Sequence, residues 1–226
     1  MLHPSDELRR MTIHASDGEI GRVTEFYFDD EAWTVRYFIV RTGHWLAGRE
    51  VLLPPARVRA VDWDKHELIV GLTTDQVRRS PDVSTDQPVS RLQELEQLKH
   101  YEQPAYWMLG AEVGGAAIAL DAALRAGAAE QEHAGVAPPT HLRSSHEITG
   151  YGIEAADGGL GHVTGFLIDD ATWRVEALLV DTSAWWSGTP VTIPTAQVTR
   201  VSWGERCIRV SMTRDAIRSA PAYHRN

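Results

Sequence analysis

Apolar positions in the first 83 residues fall in short runs broken by Gly, Asp and Pro. Residues 11–15 alternate apolar with polar and run into Ser16-Asp17-Gly18, a hairpin signal. Residues 21–29 predict a second strand, and Asp29-Asp30-Glu31-Ala32 a turn into a third at Thr34–Thr42. Residues 43–48 read as a loop into 49–54, and 58–64 turns at Asp64-Lys65-His66 into 67–72. Six short strands in about sixty residues suit a small closed barrel better than a parallel α/β layer. A single helical turn follows at 73–79, with threonine at its start, acid early, base late and Pro81 beyond its end.

The same pattern then returns. Asp17-Gly18-Glu19-Ile20-Gly21 is echoed by Asp157-Gly158-Gly159-Leu160-Gly161, an offset of 140 that holds without a gap from Leu2/Leu142 to Val83/Tyr223. Thirty of those 82 positions are identical, so the chain is a tandem duplication. Three units follow: 1–83 as one barrel domain, 84–141 as a linker, and 142–226 as a second barrel domain. The fold class expected is mainly β, two small six-stranded barrels joined by a partly helical, Ala/Gly-rich linker. In that linker an amphipathic helix is predicted at about 90–100, with leucines at 92, 95 and 98. An aromatic patch follows at Tyr101, Tyr106 and Trp107, and residues 110–137 read as a loose tether.

Strand Thr34–Thr42 and its equivalent carry apolar residues on both faces. One face reads Val35, Tyr37, Ile39 (Val175, Ala177, Leu179); the other is apolar at Phe38 and Val40 (Leu178 and Val180). A barrel strand needs only one apolar face, so a terminal helix, the other repeat or a second chain is expected to cover the second. Phe38, Val40, Leu178 and Val180 are therefore candidate interaction residues. Trp45, Trp185 and Trp186 join them, because tryptophan on a loop is enriched where proteins bind each other.

Charge and composition narrow the functions. A net charge of −9 argues against nucleic acid as a partner, which needs a basic face. One cysteine excludes a disulfide framework and fits a reducing compartment. No apolar run reaches the length of a membrane span, and the first residues are too polar for a signal peptide, so a cytoplasmic location is expected.

Asp29-Asp30 and Asp169-Asp170 are the carboxylates that invite a chemical role, as a cation site or proton relay. Neighbouring residues on a strand point to opposite faces, however, and aspartate favours turns, so turn formation is the preferred reading. Trp33 and Trp173, kept in both copies beside these acids, read as packing residues. The ten histidines show no metal-ligand spacing, and His44 and His162 have no counterpart in the other copy. Cys207 pairs with Glu67 across the repeat and is expected to point outward as a free thiol. No catalytic residue, cofactor or metal is expected.

The run Gly-x-Val-x-x-Phe-x-x-Asp-Asp-x-x-Trp, at residues 21–33 and 161–173, resembles the PRC-barrel family. So do Thr-x-x-Trp at 42–45 and 182–185, Val-x-x-Val-x-Trp at 58–63 and 198–203, and the closing Thr-x-Asp-x-x-Arg-x-x-Pro. The resemblance implies six-stranded barrels that bind proteins and do not catalyse, with a protein partner or a homodimer. It also brings two alternatives: an accessory to photosynthetic electron transfer and proton delivery, like the reaction-centre H subunit, and a ribosome-assembly accessory. The first allows at most peripheral association with a membrane complex.

Overall fold

The structure, a computed structural model, describes residues 1–46, 48–81, 91–103, 141–183, 190–220 and 223. Copy one begins with β1 (Leu2–Pro4), α1 (Ser5–Leu8), β2 (Thr12–Ala15), β3 (Gly18–Asp29) and β4 (Thr34–Thr42). It continues with β5 (Glu50–Leu53), β6 (Val58–Asp62), β7 (Glu67–Val70) and α2 (Thr74–Arg78), after which comes α3 (Arg91–His100). Copy two runs β8 (Leu142–Ser144), α4 (Ser145–Ile148), β9 (Gly152–Ala155), β10 (Gly158–Asp169) and β11 (Val175–Asp181). It ends with β12 (Val191–Pro194), β13 (Val198–Ser202), β14 (Cys207–Val210) and α5 (Arg214–Arg218).

Two seven-stranded sheets result, each built from six strands of one copy and one strand of the other. The first has the order β5-β4-β3-β2-β7-β6, with β5 and β6 at its ends, and β8 is added along β3. The second has the order β12-β11-β10-β9-β14-β13, and β1 is added along β10. Strand length explains the exchange. β3 has twelve residues, whereas its neighbour β2 has four and pairs only with positions 18–22. The far end of that edge, Tyr27–Asp29, would present unpaired backbone groups, and β8 fills it (Tyr27 opposite Ser144, Asp29 opposite Leu142). β1 does the same for β10, with Leu2 opposite Asp169 and Pro4 opposite Leu167.

The copies share one core. Its main cluster runs without a break from copy-one residues such as Phe26, Phe28 and Phe38 to copy-two residues such as Phe166, Leu178 and Val180. At its centre Phe166 meets Phe26 edge-on at 5.6 Å and Phe28 at 5.4 Å. The two-faced strand is resolved by a bulge. Phe28 opposes Val35 and Tyr27 opposes Tyr37, so Arg36 is the extra residue and the alternation shifts by one. Val35 consequently joins Phe38 and Val40 in the main core, not Tyr37 and Ile39 as strict alternation predicts. Tyr37 and Ile39 form a second small cluster with Tyr27, Leu52 and Leu142, the last supplied by the exchanged strand.

α2 starts as expected: Thr73 caps it, its side chain accepting from the Gln76 N–H while the Gln76 side chain accepts from the Thr73 N–H. α3 lies where the leucine spacing places a helix, and its Leu98 is buried. It is fixed to copy one. The Arg57 guanidinium donates to the Tyr101 carbonyl, Gln97 donates to the Pro81 carbonyl at 3.2 Å, and His100 Nε2 lies 2.8 Å from the Gln76 carbonyl. Tyr106, Trp107 and residues 110–137 lie outside the described residues.

Glycine is required at 21 and 161. A Cβ there would sit 2.1 Å from the Arg41 carbonyl oxygen in copy one and 2.0 Å from that of Asp181 in copy two. Gly21→Ala is therefore expected to cost about 3 kcal/mol or more, because backbone must move. Gly48→Ala, at a left-handed position with open space around it, should cost only about 1 kcal/mol. Chemical denaturation of both variants checks this, and an equal cost would contradict it.

Candidate interaction site at the junction of the two copies

Each junction is built from matching positions, 140 residues apart. Where β1 hands over to α1, the buried Ser5 hydroxyl accepts from the Phe166 N–H at 3.2 Å. The buried Ser145 hydroxyl accepts from the Phe26 N–H at 3.1 Å. These amides sit on the long strands just before the exchanged partner begins, and without serine they would be buried donors with no acceptor.

The paired aspartates divide their work. Asp29 holds its own turn: Oδ1 accepts from the Glu31 and Ala32 amides, each at 3.0 Å, and Oδ2 takes the Arg36 guanidinium at 3.1 Å. Asp169 repeats this with the Thr172 amide at 2.9 Å and hydroxyl at 2.8 Å, bonds that hold its carboxyl below the ordinary value. Asp30 and Asp170 instead reach the exchanged strands. Asp30 pairs with Arg143 Nε at 2.7 Å and lies 3.3 Å from His141. Asp170 lies 3.4 Å from His3 Nε2 and also binds the Met1 amino group. The residue that each exchanged strand brings to the aspartate is backed by a tryptophan. His3 stacks on Trp63 at 3.6 Å with the rings 3° apart, and the Arg143 guanidinium lies 5.3 Å from the Trp203 ring centre. In each case the tryptophan belongs to the same copy as the residue it backs.

The two carboxyls differ in charge balance. Burial pushes the Asp30 carboxyl above its ordinary value, and Arg143 and His141 offset that only in part. Burial also acts on Asp170, but the Met1 amino group and His3 outweigh it, and its carboxyl sits below the ordinary value.

Trp33 and Trp173 do more than pack. Both adopt left-handed backbone, φ 50° and 58°, a region that bulky side chains avoid. The conformation aims their carbonyls across the junction: Trp33 accepts from the Val175 N–H at 2.7 Å and Trp173 from the Val35 N–H at 2.8 Å. Trp33 stacks on Phe28 and Trp173 meets Phe38 edge-on at 4.9 Å.

That contact fits the other repeat, one of the covers expected for this strand, and corrects only the reading of these residues as a surface for outside partners. Phe38, Val40, Leu178 and Val180 are each 0% exposed, covered within the chain by the shared core. Trp45 is half-buried on its loop, donates to the Ile20 carbonyl at 2.8 Å and lies beneath Arg78, so it closes the end of its own copy. Trp185 and Trp186 lie outside the described residues. Cys207 is half-buried, 3.7 Å from Glu205, and burial, then that carboxylate, push its thiol up, the reverse of what a nucleophile needs. No group of three or more metal-binding side chains occurs among the described residues.

An open recess does lie at the junction. A cleft of about 480 Å³ is lined by Tyr37, Pro54 and Pro55 of copy one, Leu98 of α3 and Trp173 of copy two. A second, of about 440 Å³, is lined by four successive residues of β6, Val58–Val61, with Trp63 on one side and Asp170 on the other. They share Val58, Ala171 and Trp173, so together they form a groove between the β6 edge and the Asp169–Trp173 turn of the other copy.

Sequence reasoning placed the Asp-Asp turns and the tryptophans but missed Ser5, Ser145, His3 and Arg143. The signal for the serines was present, since Leu2/Leu142, Ser5/Ser145 and Glu7/Glu147 are identities lying ahead of the first barrel strand. Residues 3–77 match the family model of the PRC-barrel domain. No curated protein matches the chain.

Arg143→Ala should leave Asp30 buried without its main countercharge and raise its carboxyl further. A carboxyl raised on folding contributes stability in its protonated form and loses it as pH rises through the folded value. The variant should therefore lose about 2 kcal/mol near neutral pH and regain part of it on acidification toward the ordinary carboxylate range. Urea melts at the two pH values decide this, and a pH-independent loss would contradict it.

Proposed function

From the premise that residues 3–77 belong to the PRC-barrel domain family, we propose that the chain is a non-enzymatic assembly module, two PRC-type barrels presenting one composite surface to a protein partner. The observation carrying this reading is the groove between β6 and the Asp169–Trp173 turn. β6 ends its sheet, so one wall offers strand-edge backbone groups, and the other offers the ring of Trp173. That combination suits an extended segment of a partner polypeptide, whose main chain would pair with β6 and whose side chains would enter the recess. Neither copy alone makes both walls.

The carboxylates support a binding role over a catalytic one. Asp29 and Asp169 are occupied by their own turns, and Asp30 and Asp170 by the exchanged strands. A cytoplasmic setting fits the single cysteine and the acidic charge of −9. Among the described residues no helix is long and apolar enough to cross a membrane.

The test uses residues that the repeat itself shows to be tolerated. Ala60 and Ala171 are exposed on opposite walls, and their counterparts are Arg200 and Glu31. The variant carrying Ala60→Arg and Ala171→Glu should fold as the parent does, yet lose partners captured by cross-linking in native cells by about tenfold or more. Undiminished capture of the same partners would exclude the groove as the contact.

A further inference from the structure

The two junctions are alike in Ser5/Ser145, Asp30/Asp170 and Trp63/Trp203, so each copy presents the same kind of surface to the other. A self-complementary surface of this sort would also accept a like copy from another chain, giving isologous pairs. Besides the change from His3 to Arg143 beside the aspartate, one further contact breaks the equivalence. Ser144 Oγ, while accepting from the Glu147 N–H at 3.1 Å to cap α4, donates to the Glu25 carboxylate of copy one. At the other junction the corresponding residues are Pro4 and Gly165. Pro4 makes no side-chain cap for α1, and Gly165 lies where a Cβ would come 3.1 Å from the Ser5 hydroxyl.

We propose that this surface is a pairing surface for repeats of this kind, and that Glu25 with Ser144 selects the partner. Copy one accepts a repeat whose exchanged strand carries a hydroxyl at the position of Ser144 and rejects one carrying proline there. Four neighbour contacts are possible, and they differ in what they leave unpaired. In an unlike pair Glu25 meets the Ser144 hydroxyl and Gly165 meets Pro4, which asks for nothing. In a pair of two first copies, each half-buried Glu25 meets Pro4, which has neither a hydroxyl nor an N–H to give. In a pair of two second copies, Ser144 meets Gly165, which costs only the lost bond. The selection is thus one-sided: it acts against pairs of first copies directly and against pairs of second copies only by competition.

The experiment uses the full-length chain with a protease recognition sequence inserted between Gln103 and His141, cut after folding. Two preparations of different mass are mixed at high concentration, and native mass spectrometry reads which halves pair. The wild-type chain should give unlike pairs, with first-half homodimers scarce. Glu25→Gly, which installs copy two's residue, should raise first-half homodimers about tenfold or more, whereas Glu25→Gln, which keeps an acceptor, should not. First-half homodimers as abundant in the wild type as unlike pairs, or unchanged by Glu25→Gly, would overturn the proposal. If the halves do not exchange, a double-mutant cycle of Glu25→Gly with Ser144→Ala in the uncut chain decides the matter. A coupling of about tenfold in the unfolding equilibrium supports the selective contact, and a coupling near unity overturns it.

Discussion

The structure turns on a mismatch in strand length. In each copy a twelve-residue strand lies beside a four-residue neighbour, and the remaining edge cannot be left bare in a buried position. Each copy fills the other's edge with three residues from its own start. Everything else at the junction follows from that exchange. The serines satisfy the amides where the exchanged strands turn away, Asp30 and Asp170 face Arg143 and His3 on those strands, and the phenylalanines close the core between them.

The backbone at Trp33 and Trp173 shows how much the junction governs local conformation. A tryptophan in the left-handed region costs about 1–2 kcal/mol against an ordinary conformer. Both copies accept it at the same position, and in both the carbonyl is turned onto the other copy's Val35 or Val175 amide. The bulge at Arg36 belongs to the same adjustment, because it brings Val35 and Phe38 together onto the shared core. Burial of apolar surface drives the association, and the hydrogen bonds and ion pairs fix its register.

Much of this was legible in the sequence, and the rest was hidden for physical reasons. The strands, the capped turn at Thr73 and the turn role of Asp29 and Asp169 are local, set by residues a few positions apart. Gly21 and Gly161 stood out because the repeat preserves them, and the close approach of a neighbouring carbonyl explains why. The exchange joins residues more than a hundred positions apart, such as Ser145 and Phe26, and a three-residue strand leaves no periodicity to read. The apolar outer face signalled a cover without saying that the cover was the chain itself. Phe38, Val40, Leu178 and Val180 are therefore core residues, and the surface open to a partner is the groove that the two copies make together.

Residue-resolved hydrogen exchange at the junction amides tests the central claim most directly. The N–H groups of Phe26, Phe166, Val35 and Val175 each donate to an acceptor in the opposite copy. If the copies form one body, these four amides exchange as slowly as those inside β3 and β10, in a single cooperative opening. If they instead exchange at rates typical of unprotected loops while the strands around them stay protected, the copies are separate barrels and the account is wrong.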